Sequence, residues 1–397
     1  MSLPEAIALA QKSNPTLAQS KAQADAADAR LSQARAGRLP SAVLSGESGW
    51  GTTDLGGFFG FGRSNVSPRA AALELRQPLF AGGAITAAID RAREGRDAAL
   101  AQTAGAKALL SARVAEAYVT VLSAGQLLTL QEAQVRQLDE IARQAELRFK
   151  DGEIPLSTLD QARARLAGAQ ADMARTTGNA ARARAHFADV VGAEPDTLEP
   201  LSAPPPIPAS LDEAMASATQ SSPTLLAAEA SARAADAGVR FAEADRLPSL
   251  ALTAKASTTR DQFFPGYRDD GVTVGVQGRW TLFSGGLVSG QISEARANVR
   301  AAQAGVAAAR AQVREAVVGG WQDVQTARAV VQAAADQSTA SASALDSVRN
   351  EVRVGQKPTV ELLDAQRDGL AAQVALVVAR GEQVIAAYRL NALLHGG

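Results

Sequence analysis

The side chains of this chain that could do chemistry are few and scattered. There is no cysteine and there are two histidines. That leaves no thiolate nucleophile, no disulfide, no thiolate metal ligand and no cysteine for lipid attachment. His186 and His395 stand alone, without ligand spacing around them, and read as structural or exposed. The glycines between Gly56 and Gly62 lack the strand-then-helix setting of a phosphate loop. No Ser-His-Asp set and no paired catalytic carboxylates stand out, so an enzymatic reading has nothing to carry it. A net charge of -1 gives no basic excess for nucleic acid. The informative charges are the ones that periodicity places on helices and strands.

Those elements occur twice. Residues 2–44, beginning SLPEAIALAQKSNPTL, recur as residues 210–252, beginning SLDEAMASATQSSPTL, at a constant offset of 208. Both copies reach Arg-Leu-Pro-Ser, at Arg38–Ser41 and Arg246–Ser249. The repeat is far longer than the 20–50 residues of a solenoid unit. The chain is therefore read as two halves, 1–193 and 210–397, joined by a Pro-rich linker at 194–209 whose centre is Pro204-Pro205-Pro206. From Leu79 to Pro155 the offset falls to 203, which makes the first hairpin loop five residues longer than the second.

Each half opens with a helix start: Ser2 as N-cap with Glu5 three residues on. Asn14-Pro15 interrupts, and a second helical run ends at Gly37 before Leu39-Pro40. Residues 41–53 then alternate, with Ala42, Leu44, Gly46 and Trp50 on one face and Ser41, Val43, Ser45 and Glu47 on the other. Residues 69–80 alternate likewise, Ala71, Leu73, Leu75 and Leu79 against Glu74 and Arg76, giving a strand hairpin over 39–80. A helical pattern of roughly 67 residues follows, about 100 Å long at 1.5 Å per residue. It breaks at Asp151-Gly152-Glu153-Ile154-Pro155 and returns over 156–190. The second half repeats the order: helices 211–222 and 224–245, strands near 249–259 and 271–283, a helix over 287–354, a tip at 355–358 and a last helix over 359–394. Abundant alanine with 4% aromatic residues suits long helices in close, thin-walled packing.

No run of 18 apolar residues appears, so no membrane-spanning helix is expected. Met1 leads straight into a helix signal with no leader pattern. The four strands are another matter. Their length suits a tilted crossing, and one face is apolar while the other carries Glu47, Glu74, Arg76, Lys255 and Arg279. Alternation alone fits a soluble four-stranded sheet equally well. If the strands do cross a membrane, four cannot close a barrel and open edges are not tolerated in lipid. Several chains must then share one barrel, of 8 strands from two chains or 12 from three.

The opening LPEAIALAQKSNPTL, the RLPS entry into a strand, the QPLFAGG and WTLFSGG junctions and the paired tips RFKDGEIPLSTLDQARARL and VRVGQKPTVELLDAQ resemble the outer-membrane efflux protein family, the TolC-like channels. The resemblance covers essentially the whole chain in order. GVRFAEAD, REAVVGGWQDVQTAR and VELLDAQRDGLAAQVALV are most similar to the branch serving type I protein secretion. It implies a mostly α fold with a small membrane β part: a homotrimer whose twelve strands form one outer-membrane barrel and whose helices form a periplasmic α-barrel tunnel. It implies a passive, non-enzymatic exit duct without cofactors. Its partners would be outer-membrane lipid, a periplasmic adaptor, and an inner-membrane ABC transporter or other efflux pump. The alternative from the residues is a soluble or periplasmic elongated coiled-coil scaffold or adaptor, which needs neither the alternating strands nor the duplication.

The resemblance also assigns residues. Glu361 and Asp364 fall on positions that narrow the periplasmic end. Their spacing of three puts both on one helix face, and three chains would give two carboxylate rings that favour cations. A solvated helix start with ordinary acidic bias gives the same pattern. Lys357 matches a basic tip position that holds the closed state, with Asp151 or Glu153 of the other tip as counter-charge; an exposed lysine on a turn is the plain alternative. Thr158 is neutral where relatives are often acidic. Gly152, Pro155, Gly355 and Pro358 shape the tips and, by the resemblance, the adaptor-docking surface. Trp50 and Trp280 read as membrane-interface residues. Phe58, Phe59, Phe61, Phe263, Phe264 and Tyr267 belong to the outer loops, at the channel mouth or in the same belt.

Overall fold

The computed structural model describes residues 1–57, 60, 62–200 and 204–394. Phe58, Phe59, Phe61 and His395 lie outside the described residues. The described residues form eight helices and six strands, in the expected order with β2 and β3 added: α1 (Leu3–Ser13), α2 (Pro15–Ala36), β1 (Ser41–Ser48), β2 (Gly51–Asp54), β3 (Arg63–Val66), β4 (Arg69–Ala81), α3 (Ala84–Lys150), α4 (Leu156–Val191), α5 (Leu211–Ser221), α6 (Pro223–Ala244), β5 (Ser249–Arg260), β6 (Arg268–Arg279), α7 (Leu287–Arg353) and α8 (Thr359–Leu394). The halves match helix for helix: α1 and α5 have 11 residues, α2 and α6 22, α3 and α7 67, α4 and α8 36. Their starts match too. Ser2 Oγ accepts from the Glu5 N–H while Glu5 Oε2 accepts from the Ser2 N–H, and Ser210 Oγ accepts from the Glu213 N–H. Each satisfies a donor that a helix start leaves open.

By contact the chain divides into two compact units: Met1–Ala22, Ala101–Leu226 and Ala308–Gly397 form one, and Gln23–Leu100 with Ala227–Ala307 the other. Both units draw matched pieces from both sequence halves. The first unit is helical. In it Leu3, Ala6 and Ala10 of α1 pack on Val114 and Tyr118 of α3 and on Phe187 and Val191 of α4. The Tyr118 hydroxyl lies 2.9 Å from the Met1 carbonyl and 2.8 Å from that of Glu199, which gives its buried polar end a partner. The repeat of that arrangement places Ala214 and Ala218 of α5 on Val317 and Val324 of α7 and Leu390 and Leu394 of α8, with Trp321 alongside. At Gly381, α8 closes on α3: a Cβ there would meet Val119 Cγ1 at 2.9 Å.

The expectation of no membrane-length apolar helix needs correction. By length and composition α8 passes, with a window of mean hydropathy 1.4. Arg380 and Glu382 interrupt its apolar stretch, so the sequence shows no uninterrupted run of 18 apolar residues. The apolar residues go round the helix. Ala372, Ala379, Val384, Ala387 and Leu390 are buried within the chain, while Val374, Leu376, Val377 and Ile385 are half-buried and Val378 is exposed. A helix apolar on all sides wants neighbours on all sides.

The second unit holds an antiparallel sheet in the order β1-β4-β5-β6. Its register puts Leu44, Leu73, Ala256 and Val272 side by side, then Ala42, Leu75, Ala254 and Val274. The other face carries Val43, Glu74, Lys255 and Thr273, then Ser41, Arg76, Thr253 and Gly275. Three details depart from the sequence reading. The first strand stops at Ser48, because it meets Pro68, which has no N–H to donate; Gly49 N–H donates to the Pro68 carbonyl and the extra residues continue as the separate β2–β3 hairpin. A bulge follows Pro78, so that Phe80, not Leu79, falls in register with Leu250 on the apolar face. And β6 runs 268–279 rather than 271–283: Arg268 pairs with Arg260 across the loop 261–267, and Trp280 leaves the ladder to donate its indole N–H to the Arg246 carbonyl at 3.1 Å. Leu282 and Phe283 are exposed outside the strand.

Candidate functional site

The tips of the two helical hairpins, both in the helical unit, share one backbone. Gly152 has φ +75° and Gly355 φ +79°, a left-handed conformation that costs any other residue strain. Around each glycine the chain makes the same pair of bonds. Gly152 N–H donates to the Phe149 carbonyl and Glu153 N–H to that of Arg148; Gly355 N–H donates to the Val352 carbonyl and Gln356 N–H to that of Glu351. This is the Schellman ending, which satisfies carbonyls the helix would leave open. Pro155 and Pro358 then stand just ahead of the next helix, where a missing N–H costs nothing.

The charges on this common frame differ. Lys357 Nζ lies 3.0 Å from Glu351 Oε2 and 3.1 Å from Glu361 Oε2. Both carboxylates belong to its own tip, one before and one after the turn. Hydrogen bonding to Glu351, then to Glu361, raises the Lys357 pKa above the ordinary lysine value. The expected counter-charges on the other tip are not used within the chain: Glu153 pairs instead with Arg148 at 3.0 Å, and Asp151 has no charged partner among the described residues. A lysine six residues from one acid and four from another reaches both sooner than a neighbouring hairpin. In the first tip Glu146 holds Lys150 at 3.1 Å and Arg163 of α4 at 3.7 Å, and its pKa is lowered by Lys150 first.

Asp364 carries a feature the sequence reading missed. Its Oδ1 accepts from Arg165 Nη2 of α4 at 3.0 Å and lies 3.7 Å from Arg367 Nη1. The Arg165 bridge ties the first hairpin to the second. It spans 199 residues, so no local spacing signals it. Around Glu361 and Asp364, four carboxylates (Glu351, Glu361, Asp364, Asp368) stand with three cations (Lys357, Arg165, Arg367), leaving one net negative charge per chain. All are partly exposed, where single pairs contribute about 1 kcal/mol or less. Just beside them Gln366 is 5% exposed on α8, and its Oε1 finds no partner among the described residues.

The sheet ends carry the aromatic residues. Trp50 follows β1 and Trp280 follows β6, at opposite ends of the sheet, 81% and 60% exposed. In the β5–β6 loop Tyr267 takes Phe263 and Phe264 edge-on, at centroid distances of 4.9 and 5.5 Å. His186 is exposed on α4. No group of metal-binding side chains is present among the described residues.

The model of the "Outer membrane efflux protein" family matches residues 6–193 and 214–396. This chain belongs to that family. The outer membrane efflux protein BepC of Brucella suis is 35% identical over 276 residues, covering 69% of this chain and 60% of BepC. Protein CyaE of Bordetella pertussis is 31% identical over 94% of this chain and 79% of its own. The crystal structure of the Campylobacter jejuni CmeC outer membrane channel superposes with a TM-score of 0.87 over all of this chain and 86% of CmeC, at 15% identity, which speaks to the fold. The alternating strands, which alone fitted a soluble sheet equally well, are therefore those of an outer-membrane efflux family fold.

Proposed function

We propose that this protein is the outer-membrane exit duct of a tripartite secretion or efflux system, acting as a homotrimer. The observation that carries the reading is the sheet. It has four strands, an apolar face and a polar face, and two outer strands, β1 and β6, with unpaired edges. In lipid such edges must be paired, and three copies closing β6 onto β1 give a 12-stranded barrel within the known range for membrane barrels. The apolar side of α8 left open within one chain supports copies packed side by side. The two halves, 1–193 and 210–397, then act as quasi-equivalent staves of one wall.

In this reading the tips form the periplasmic end. Glu361 and Asp364 supply the acidic constriction, while Lys357 and the Arg165–Asp364 bridge hold it closed. Gly152, Pro155, Gly355 and Pro358 shape the surface offered to a periplasmic adaptor, and an inner-membrane transporter supplies energy. The sequence resemblance points to a type I secretion ABC transporter. No step is catalysed by the chain, so the duct passes what its partners deliver. Single-channel recording in a planar bilayer tests the duct itself: discrete, cation-selective conductance is expected, and protein that inserts without conducting would overturn it.

A further inference from the structure

The apolar face of the sheet ends in a row of arginines. Register sets Arg69 of β4 opposite Arg260 of β5, and Arg260 opposite Arg268 of β6. Like charges placed directly across neighbouring strands repel, so the row is unfavourable unless an anion shares it. Within the sheet one carboxylate on that face answers: Asp270 accepts from Arg260 at 2.8 and 3.3 Å, from Arg268 Nε at 2.6 Å and from Thr258 Oγ1 at 2.6 Å. Arg69 is exposed and pairs with nothing among the described residues, and Arg268 engages Asp270 through Nε alone among its nitrogens. The opposite face at the same height is acidic instead, with Glu47 and Asp269 flanking Ala70 and Thr259. One end of the sheet thus turns positive charge to one side and negative charge to the other.

The height of the row matters. Apart from this row and Asp270, the charged side chains of the sheet (Glu47, Glu74, Arg76, Lys255, Asp269, Arg279) register on the polar face. From Leu250 to Arg260 the strand rises about 33 Å, or about 25 Å when tilted as in membrane barrels, which is the height of their apolar band. The row therefore sits where hydrocarbon gives way to headgroups, at the loop end of the sheet rather than the end that joins the helices. Guanidinium groups bind phosphate through two parallel N–H donors. We propose that Arg69, Arg260 and Arg268 form a binding row for the phosphate groups of an outer-leaflet lipid, a lipid bearing phosphomonoesters being the ligand class. This rests on the apolar face being lipid-facing.

The test uses the full chain, wild type and Arg69→Gln with Arg268→Gln, in nanodiscs of phosphatidylcholine with or without lipid A. Native mass spectrometry reads the lipid A retained per channel, and a thermal melt reads its stabilisation. Wild type should retain lipid A and melt higher with it, and the double variant should lose most of both. Equal retention by the two would overturn the row. Inorganic phosphate added instead of lipid A should leave the melt unmoved; a shift as large as that from lipid A would make this a free-anion site and overturn the lipid assignment. Should the double variant not insert, Arg69→Gln alone, which breaks no ion pair, must show the severalfold loss. Failure of wild type to enter nanodiscs at all would overturn the lipid-facing reading and the row with it, and is distinct from insertion without lipid preference.

Discussion

The two hairpin tips have the same backbone and different chemistry. Both end a 67-residue helix on a left-handed glycine, turn through the same hydrogen bonds and restart after a proline. At the repeat offset of 203, Gln161 stands where the second tip has Asp364, and Thr158 where it has Glu361. Ile154 stands in the place of Lys357. The return helices differ as well. α4 buries Leu159 and Ala162, whose repeat equivalents are 362 and 365, whereas α8 buries Leu363 and Gln366. A shift of one residue turns a helix by about 100°. α8 is thereby brought against α4 as well as α7, and Leu363 joins Leu138 and Ala169 in one cluster. Duplication preserved the frame that turns the chain, and divergence put carboxylates at 361 and 364 of the second return helix where the first has Thr158 and Gln161, with Arg165 of the first hairpin tied to Asp364 of the second.

That asymmetry can be broken outright. Glu361→Ala with Asp364→Ala should abolish most of the cation preference and the block by multivalent cations, while Thr158→Ala with Gln161→Ala in the first tip should leave both near wild type. Bilayer recordings in asymmetric salt measure this. Unchanged selectivity in the acidic double variant would remove the constriction from the account.

A smaller effect is expected from Lys357→Glu, which sets a third carboxylate between Glu351 and Glu361. Resting conductance should rise, and a wild-type level would end the role of Lys357 as a latch. Smaller again is Arg165→Ala. Loss of an exposed pair worth about 1 kcal/mol or less shifts a closed–open balance by about fivefold at most. Opening frequency should rise within that limit, and Arg165→Lys, which keeps the charge, should recover part of it. The smallest difference sharpens the comparison from the other side: Gly152→Ala and Gly355→Ala, at matching φ, should each destabilise by about 1 kcal/mol and to nearly the same extent in thermal melts. Unequal losses would show that the frames are less alike than their geometry.

Much of this was legible in the residues, and the exceptions have physical causes. Ser2 with Glu5, the breaks at Asn14-Pro15, Gly152 and Gly355, and the long helices were readable because caps and breakers act locally. The strand faces were readable from alternation until proline intervened: Pro68 and Pro78 remove ladder donors, ending β1 early and inserting the bulge that exchanges Leu79 for Phe80. The site was half legible. The family resemblance points to Glu361, Asp364 and Lys357 as candidates, but not to Glu351 and Arg165, which pair with Lys357 and Asp364. Glu351 lies across the turn, and Arg165 is set by how α8 packs on α4, which no local pattern encodes.

That three chains share one membrane barrel is checked by the native mass of the purified protein, measured in mild detergent and in parallel without it. A shared barrel gives a particle of three chain masses in detergent and aggregation without it. A well-behaved monomer or dimer in plain buffer would contradict it, since the edges of β1 and β6 would then need no neighbour.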